Sequence, residues 1–228
     1  LKGGLDLDGH CPNVLRHRSA EGATRHPING DQFVRLVEEQ LGKNQYRGCK
    51  ALGEWGKMGA TAVLFKLELV PYGYTFVGKG IRSPHPWPYG HETRLLNHES
   101  CMYARLDRLQ GEAVPVHLGL VQLARGYILR GSWVFHMMLM SCGGETLADP
   151  AVRDAVAGVA DLAAEVRRSS QVVWAEGVDH DDERNANRVW NDETRRVMLI
   201  DFDQATLLPR PKQKRVVEVS GNRKRKKK

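Results

Sequence analysis

Between Val178 and Asp203 the chain reads VDHDDERNANRVWNDETRRVMLIDFD. His180, Asp182 and Asn187 stand in the spacing H-x-D-x4-N, and past a turn at Asn191–Asp192 an apolar stretch delivers Asp201-Phe202-Asp203. Carboxylates and a carboxamide are hard oxygen donors of the kind that hold Mg2+ against phosphates, and a carboxylate beside a hydroxyl can take its proton. Asp179, Asp181, Asp182 and Glu183 also crowd four acids into five positions. Like charges this close disfavour mutual ionisation and oppose phosphates unless a cation intervenes. Taken alone, the stretch also reads as an ordinary acidic turn between a helix and a strand.

The spacing resembles the catalytic loop and metal-binding motif of the protein-kinase-like phosphotransferases. Asp-Phe-Asp preceded by Leu199-Ile200 is closer to aminoglycoside phosphotransferases, lipopolysaccharide kinases and a group of small fungal kinase-like proteins than to signalling kinases. The phrases GATAVLFKLELVPYGYTFVGKG, HESCMYARLDRLQG and MLMSCGGE share the look of the fungal group, so the resemblance covers residues 46–209. It implies an ATP- and Mg2+-dependent phosphotransferase with Asp182 as base, Asn187 and Asp201 holding the metal, and His180 bracing the loop. The residue before the histidine is commonly apolar in the family and the one before the aspartate Gly or Arg; here they are Asp179 and Asp181. That departure means either strictly metal-dependent nucleotide binding or a decayed site.

The resemblance also demands a phosphate-binding lysine with an apolar residue two positions earlier on the same strand face, and Val77 and Lys79 fit. Lys66 competes, but it shares a face with Glu68 opposite an apolar stripe, as an exposed lysine does. A glutamate on the following helix should pair with the lysine; Glu99 is the best match and Glu92 the fallback. Gly53, Gly56 and Gly59 stand ahead of a strand, where a phosphate loop belongs, although G-x-x-G-x-x-G departs from G-x-G-x-x-G. Met138 to Gly144, with Met138 and Met140, would form the hinge and adenine-facing edge.

The elements that must position these groups are read from period and punctuation. Phe33, Val34, Val37 and Leu41 recur at helical spacing, with Asp31 or Asn29 as cap and Gly42 as stop. Residues 62–70 alternate, with Val63, Phe65, Leu67 and Leu69 on one face, and a turn at Pro71 and Gly73 leads to a second strand, Tyr74–Ile81. A helix is expected from His91 to Leu109, then strands Val114–Val121 and Tyr127–Met140 with turns at Arg125–Gly126 and Arg130–Gly131. Ser141 to Gly144 reads as a flexible connector. Val152, Val156, Val159, Leu162, Ala163 and Val166 predict one or two helices up to Glu176, and Arg196–Phe202 a buried strand. Trp174 and Trp190 read as core fillers; His85, His91 and His98 as solvated or helix-surface residues.

The expected fold class is α+β: two lobes, an antiparallel sheet with one helix, then a shortened, mostly helical second lobe, because only 25 residues follow Asp203. The expected divisions are an arm and helix at 1–45, lobes at 46–140 and 141–209, and a basic tail at 210–228. Of 228 residues, 34 are Lys or Arg and 27 Asp or Glu; ten of those bases and one acid lie in the tail, which leaves 24 bases and 26 acids in positions 1–209. The basic balance therefore belongs to a +9 tail, and the globular part is no basic nucleic-acid surface. A tail of that charge suits an import receptor or a phosphate backbone. With 41% hydrophobic residues a wholly disordered chain is excluded. No apolar run reaches membrane-helix length and no signal core is present, so the expected setting is the nucleus or cytoplasm, away from membranes. Cys11, Cys49, Cys101 and Cys142 form no C-x-x-C pair, and His10, Cys11 and His17 match no common ligand set. Three functions are left open: a phosphotransferase acting on an unknown acceptor, a silent pseudokinase-like binding module, and a nucleic-acid-associated protein anchored by its tail.

Overall fold

The computed structural model describes residues 6–7, 25–51, 61–87, 90–129 and 131–209. The arm carrying His10, Cys11 and His17, the glycines Gly53, Gly56 and Gly59, and the tail 210–228 lie outside the described residues. Five strands, β1 (Cys49–Ala51), β2 (Ala62–Leu69), β3 (Tyr74–Ser83), β4 (His117–Leu129) and β5 (Ser132–Met140), make one antiparallel sheet in the order β1-β2-β3-β5-β4. Alternation in β2 sends Val63, Phe65, Leu67 and Leu69 inward and leaves Lys66 and Glu68 exposed.

The inward stripe of β2 meets helix α1 (Gly30–Lys43), whose Phe33, Val37 and Leu41 join it in one core with Met137 and Leu139 of β5. Asn29 is the cap: its side chain accepts from Gln32 N, and Gln32 answers by accepting from Asn29 N. Gly42 stays inside the helix, which runs to Lys43 because the Asn44 N–H still reaches the Gln40 carbonyl. Gln40 fastens the helix to the sheet rim, donating to the carbonyls of Arg47 and Glu68 and accepting from Val70 N.

The opposite face of the sheet carries helix α2 (Gly90–Arg105), ending before the expected Leu109, with Asp107–Leu109 as a separate 3-10 turn. Leu96, Met102 and Tyr103 share a second core with Ile81, Met138 and Met140, and that core continues into Val173, Val178, Leu199 and Phe202. The expected turn at Arg125–Gly126 is a bulge instead. β4 advances from Gln122 to Tyr127 while β5 advances only from His136 to Val134. Gly126 permits it, since a Cβ there would stand 2.7 Å from the Phe135 ring.

Past β5 the connector is fastened rather than flexible. The Ser141 N–H donates to the Val116 carbonyl, Ser141 Oγ accepts from Val116 N, and Gly144, at φ +117°, lets the chain pass the Trp190 carbonyl, which a Cβ would meet at 1.9 Å. Two helices follow, α3 (Pro150–Ala157), capped by Asp149, and α4 (Leu162–Ala175), capped by Asp161. Alongside them run short strands β6 (Glu145–Thr146), β7 (Val178–Asp179), β8 (Arg188–Asn191), β9 (Arg196–Leu199) and β10 (Thr206–Leu207), pairing as β6-β8-β9 and β10-β7. Trp190 is buried with Leu147, Val156 and Val197, whereas Trp174, expected inside, is 55% exposed. It follows core-facing Val173 by one position, about 100° around the helix. Cys49 and Cys142 are half-buried, Cys101 is exposed, and all three are free. No described helix is long and apolar enough to cross a membrane.

Candidate functional site

Lys79 comes from the middle of β3 and Glu99 from the third turn of α2, and the sheet and helix meet through the second core. There Lys79 Nζ donates to Glu99 Oε2 at 2.6 Å and to Asp201 Oδ1 at 2.5 Å. The lysine and glutamate side chains are 7% and 1% exposed, Asp201 34%. Burial by itself would lower the lysine, but the two carboxylates and their hydrogen bonds push it up to about 12. Burial raises the Glu99 carboxyl, with Lys79 and the Phe202 N–H pulling it back. The pair is asymmetric for a physical reason: Lys79 has two anions, whereas Glu99 has one cation and the like charge of Asp201 nearby. Lys79 therefore reports the strength of the pairing and stays protonated. Glu92 is also buried, but Glu99 is the residue that meets Lys79; Lys66 is on the exposed face.

Register places Val77 opposite Met140 and Lys79 opposite Met138. Directly opposed residues share a face, so these four belong to the α2 side of the sheet. Met138 is fully enclosed, with the Ser100 hydroxyl 3.9 Å from its sulfur, and Met140 is 6% exposed. Gly53, Gly56 and Gly59 fall between β1 and β2 in sequence and outside the described residues.

The second set of groups is built on the loop from β7 to β8. His180, 1% exposed, donates from Nε2 to the Ile200 carbonyl at 2.9 Å and packs on the Phe202 ring, centroids 4.6 Å apart. Asn187 Nδ2 donates to both the carbonyl and Oδ2 of Asp182, at 3.0 and 2.8 Å. The Ile200 N–H donates to the Asn187 carbonyl at 3.0 Å, and Arg188 pairs with Leu199, so the β8–β9 hairpin brings Asn187 beside the approach to Asp201. Asp201 adopts a left-handed conformation, φ 69° and ψ 65°, which turns the chain between β9 and the Phe202 turn. Phe202 fills the second core under Tyr103, and its N–H donates to Glu99 Oε1 at 3.1 Å. One helix residue thus holds both Lys79 and the Asp201–Phe202 backbone.

Two of the four crowded acids, Asp182 and Glu183, are paired with arginines. Asp182 Oδ2 accepts from Arg184 Nε at 3.0 Å and Glu183 Oε2 from Arg188 Nη2 at 2.8 Å. Neither arginine is singled out by the sequence reading; basic residues two and five positions past the acids were the available signal. His98 lies on the exposed surface of α2, as expected, and also donates from Nε2 to the Ala205 carbonyl at 3.0 Å, a contact between α2 and the segment after Phe202 that no local pattern announces.

Among the described residues no group of three or more His, Cys, Asp and Glu side chains could cage a metal ion. Asn187, whose amide nitrogen is committed to Asp182, keeps its Oδ1 as a donor, and Asp201 keeps Oδ2. Two hard oxygens suit Mg2+ shared with nucleotide phosphates, since that ion is seldom held by protein ligands alone.

No protein-family model matches the chain. Among curated proteins it is 50% identical over 223 residues to Meiotic driver SPOK2 of the fungus Podospora anserina. The match takes in 96% of this chain and 26% of that protein, so the chain spans about a quarter of its curated relative's length. Among solved structures it is similar to the ROP18 kinase domain in complex with AMP-PNP and sucrose, with a TM-score of 0.53 and 16% identity, over 89% of this chain and 67% of that one. At that identity the likeness speaks for fold alone, and the chain has an α+β, kinase-like fold.

Proposed function

We propose that this chain is an ATP- and Mg2+-dependent phosphotransferase. The observation that carries the reading is the buried Lys79–Glu99 pair reaching the half-buried Asp201, because a cation enclosed with two carboxylates is a costly arrangement with an evident use toward phosphate. Lys79 would neutralise nucleotide phosphates, with Glu99 fixing its position. Asp182, oriented by Asn187, would accept the proton of an acceptor hydroxyl, and Arg184 would face the charge of the transferring group. Asn187 and Asp201 would hold Mg2+, whose chemistry is to neutralise phosphate oxygens. His180 and Phe202 brace the loop from below. Gly53, Gly56, Gly59, Val77, Met138 and Met140 complete the proposed nucleotide environment.

Nucleotide in the neighbouring kinase domain supports this reading, and the curated relative makes meiotic drive the biological setting we propose. Thermal shift with ATP, with and without Mg2+, tests it: ligand binding to the native state must raise Tm, and no shift at millimolar MgATP overturns it. A binding module without turnover is the second reading, favoured by Asp182 Oδ2 being engaged by both Arg184 and Asn187; a MgATP shift with no ADP release and no autophosphorylation favours it over the first. For the tail 210–228 we propose addressing or phosphate-backbone anchoring, tested by whether its deletion removes salt-sensitive nucleic-acid retention.

A further inference from the structure

We infer that Glu183 is a positioning residue for the proposed phosphotransfer, holding Asp182 and Asn187 in fixed relation through Arg188 and Ser170; the inference rests on the reading above. The loop from Asp182 to Asn187 is closed twice. The inner closure is Asn187 Nδ2 on the carbonyl and Oδ2 of Asp182. The outer closure is shifted by one residue toward the C-terminus: Arg188, just outside the loop, donates from Nη2 to Glu183 Oε2 at 2.8 Å. These outer side chains are 15% and 30% exposed, so water screens their attraction less than that of a surface pair.

The outer closure is tied to the scaffold at two points. Glu183 Oε2 also accepts from Ser170 Oγ on α4, whose single proton is shared with the Val166 carbonyl at 3.0 Å. Arg188 opens β8 and lies opposite Leu199, two residues before Asp201. One carboxylate therefore links α4, the loop carrying Asp182 and the hairpin leading to Asp201.

An acid next to Asp182 raises the local negative charge, a cost that a neutral residue would avoid. It is offset here because each carboxylate has its own guanidinium, Arg184 for Asp182 and Arg188 for Glu183. Arg188 Nε is buried with no partner among the described residues, so Glu183 is the anion that holds this guanidinium. Without Glu183, Arg188 is left largely buried and uncompensated, and both ends of the loop lose their outer tie. Displacement of a reacting group by about 1 Å is enough to cost on the order of a hundredfold in rate.

The test follows ADP release from MgATP by the full chain, with water or a hydroxyl of the chain itself taking the phosphoryl group, together with MgATP thermal shift. Wild-type protein with neither signal defeats the phosphotransferase reading itself. Where wild type turns over, Glu183→Ala is expected to lower kcat about ten- to hundredfold while KM for MgATP stays within about threefold and the MgATP shift persists. Glu183→Gln, which keeps an acceptor oxygen and loses the charge, should fall between the two, and it serves as the readable variant if the alanine form does not fold. Ser170→Ala should cost a smaller factor with the same KM. Unchanged kcat in both Glu183 variants, or a loss of MgATP binding in proportion to kcat, overturns the inference.

Discussion

Lys79 Nζ lies 2.5 Å from Asp201 Oδ1 although 122 residues separate them in the chain, and the same nitrogen holds Glu99. A single buried ammonium therefore joins the sheet, the helix across its face and the hairpin of the second half. Disturbing any of the three carriers should be felt at the other two.

Asp201→Asn keeps the left-handed backbone, which asparagine tolerates, and removes the charge. The variant should fold, bind ATP more weakly, and lose the extra Tm that Mg2+ adds for wild type. A Mg2+-dependent increment equal to wild type would remove Asp201 from the metal site.

Asp182→Asn should leave the MgATP thermal shift in place and lower turnover by about a hundred- to ten-thousandfold, the range a general base supplies. Measuring ADP release and thermal shift on the same preparation separates the two effects.

The pair Glu99 and Glu92 can be told apart by mutation. Glu99→Gln leaves Lys79 with Asp201 alone and removes the carboxylate oxygen from the Phe202 N–H, so it should cost about 3–5 kcal/mol in denaturant unfolding and abolish nucleotide binding. Glu92→Gln should leave the nucleotide shift intact, because Lys79 does not depend on it.

Lys79 also sets a pH dependence whose sign is fixed by its upward shift. Its pKa rises from 10.5 to about 12 on folding, so its contribution to stability is whole below about pH 10.5 and is lost as pH climbs through 12. The stability difference between wild type and Lys79→Met should accordingly shrink across that window. In Lys79→Met the buried Glu99 has no cation, and its carboxyl moves further up; acidification should stabilise this variant relative to wild type, and adding Glu99→Gln should recover part of the loss.

Gly144→Ala should be among the more damaging single substitutions in the second half. Its φ of +117° suits glycine, and the new Cβ would meet the Trp190 carbonyl at 1.9 Å, so the β6–β8 pairing must part. A drop in the denaturation midpoint without loss of the Lys79–Glu99 pair is expected.

What could be read before folding was whatever local spacing fixes. Alternation in 62–70 separated Lys66 from the inward stripe, and the same rule put Val77 and Lys79 on one face. Helical period named the Phe33–Val37–Leu41 stripe but could not choose between Asn29 and Asp31, because both can cap; the reciprocal bond of Gln32 decided it. Glu92 and Glu99 are both buried on α2, and only the crossing of helix and sheet selects one. Other features depend on partners distant in sequence. The bulge at Gly126 answers to Phe135 and His98 to Ala205, while the apolar period from Val152 to Val166 left one helix or two open and the structure has two. The acid cluster misled most, since Arg184 and Arg188 meet Asp182 and Glu183, two of its four acids, only once the loop has turned.

The β7–β10 ladder pairs Val178 with Leu207 and Asp179 with Thr206, and the Leu208 N–H donates to the Gly177 carbonyl. Everything from His180 to Asp203 is consequently one excursion that leaves and re-enters the molecule at adjacent points. Such an excursion behaves as a cassette. An added residue between Leu208 and Pro209, past the ladder, leaves the mutual placement of His180, Asp182, Asn187 and Asp201 untouched, whereas one added residue inside the excursion shifts some of these groups relative to the rest.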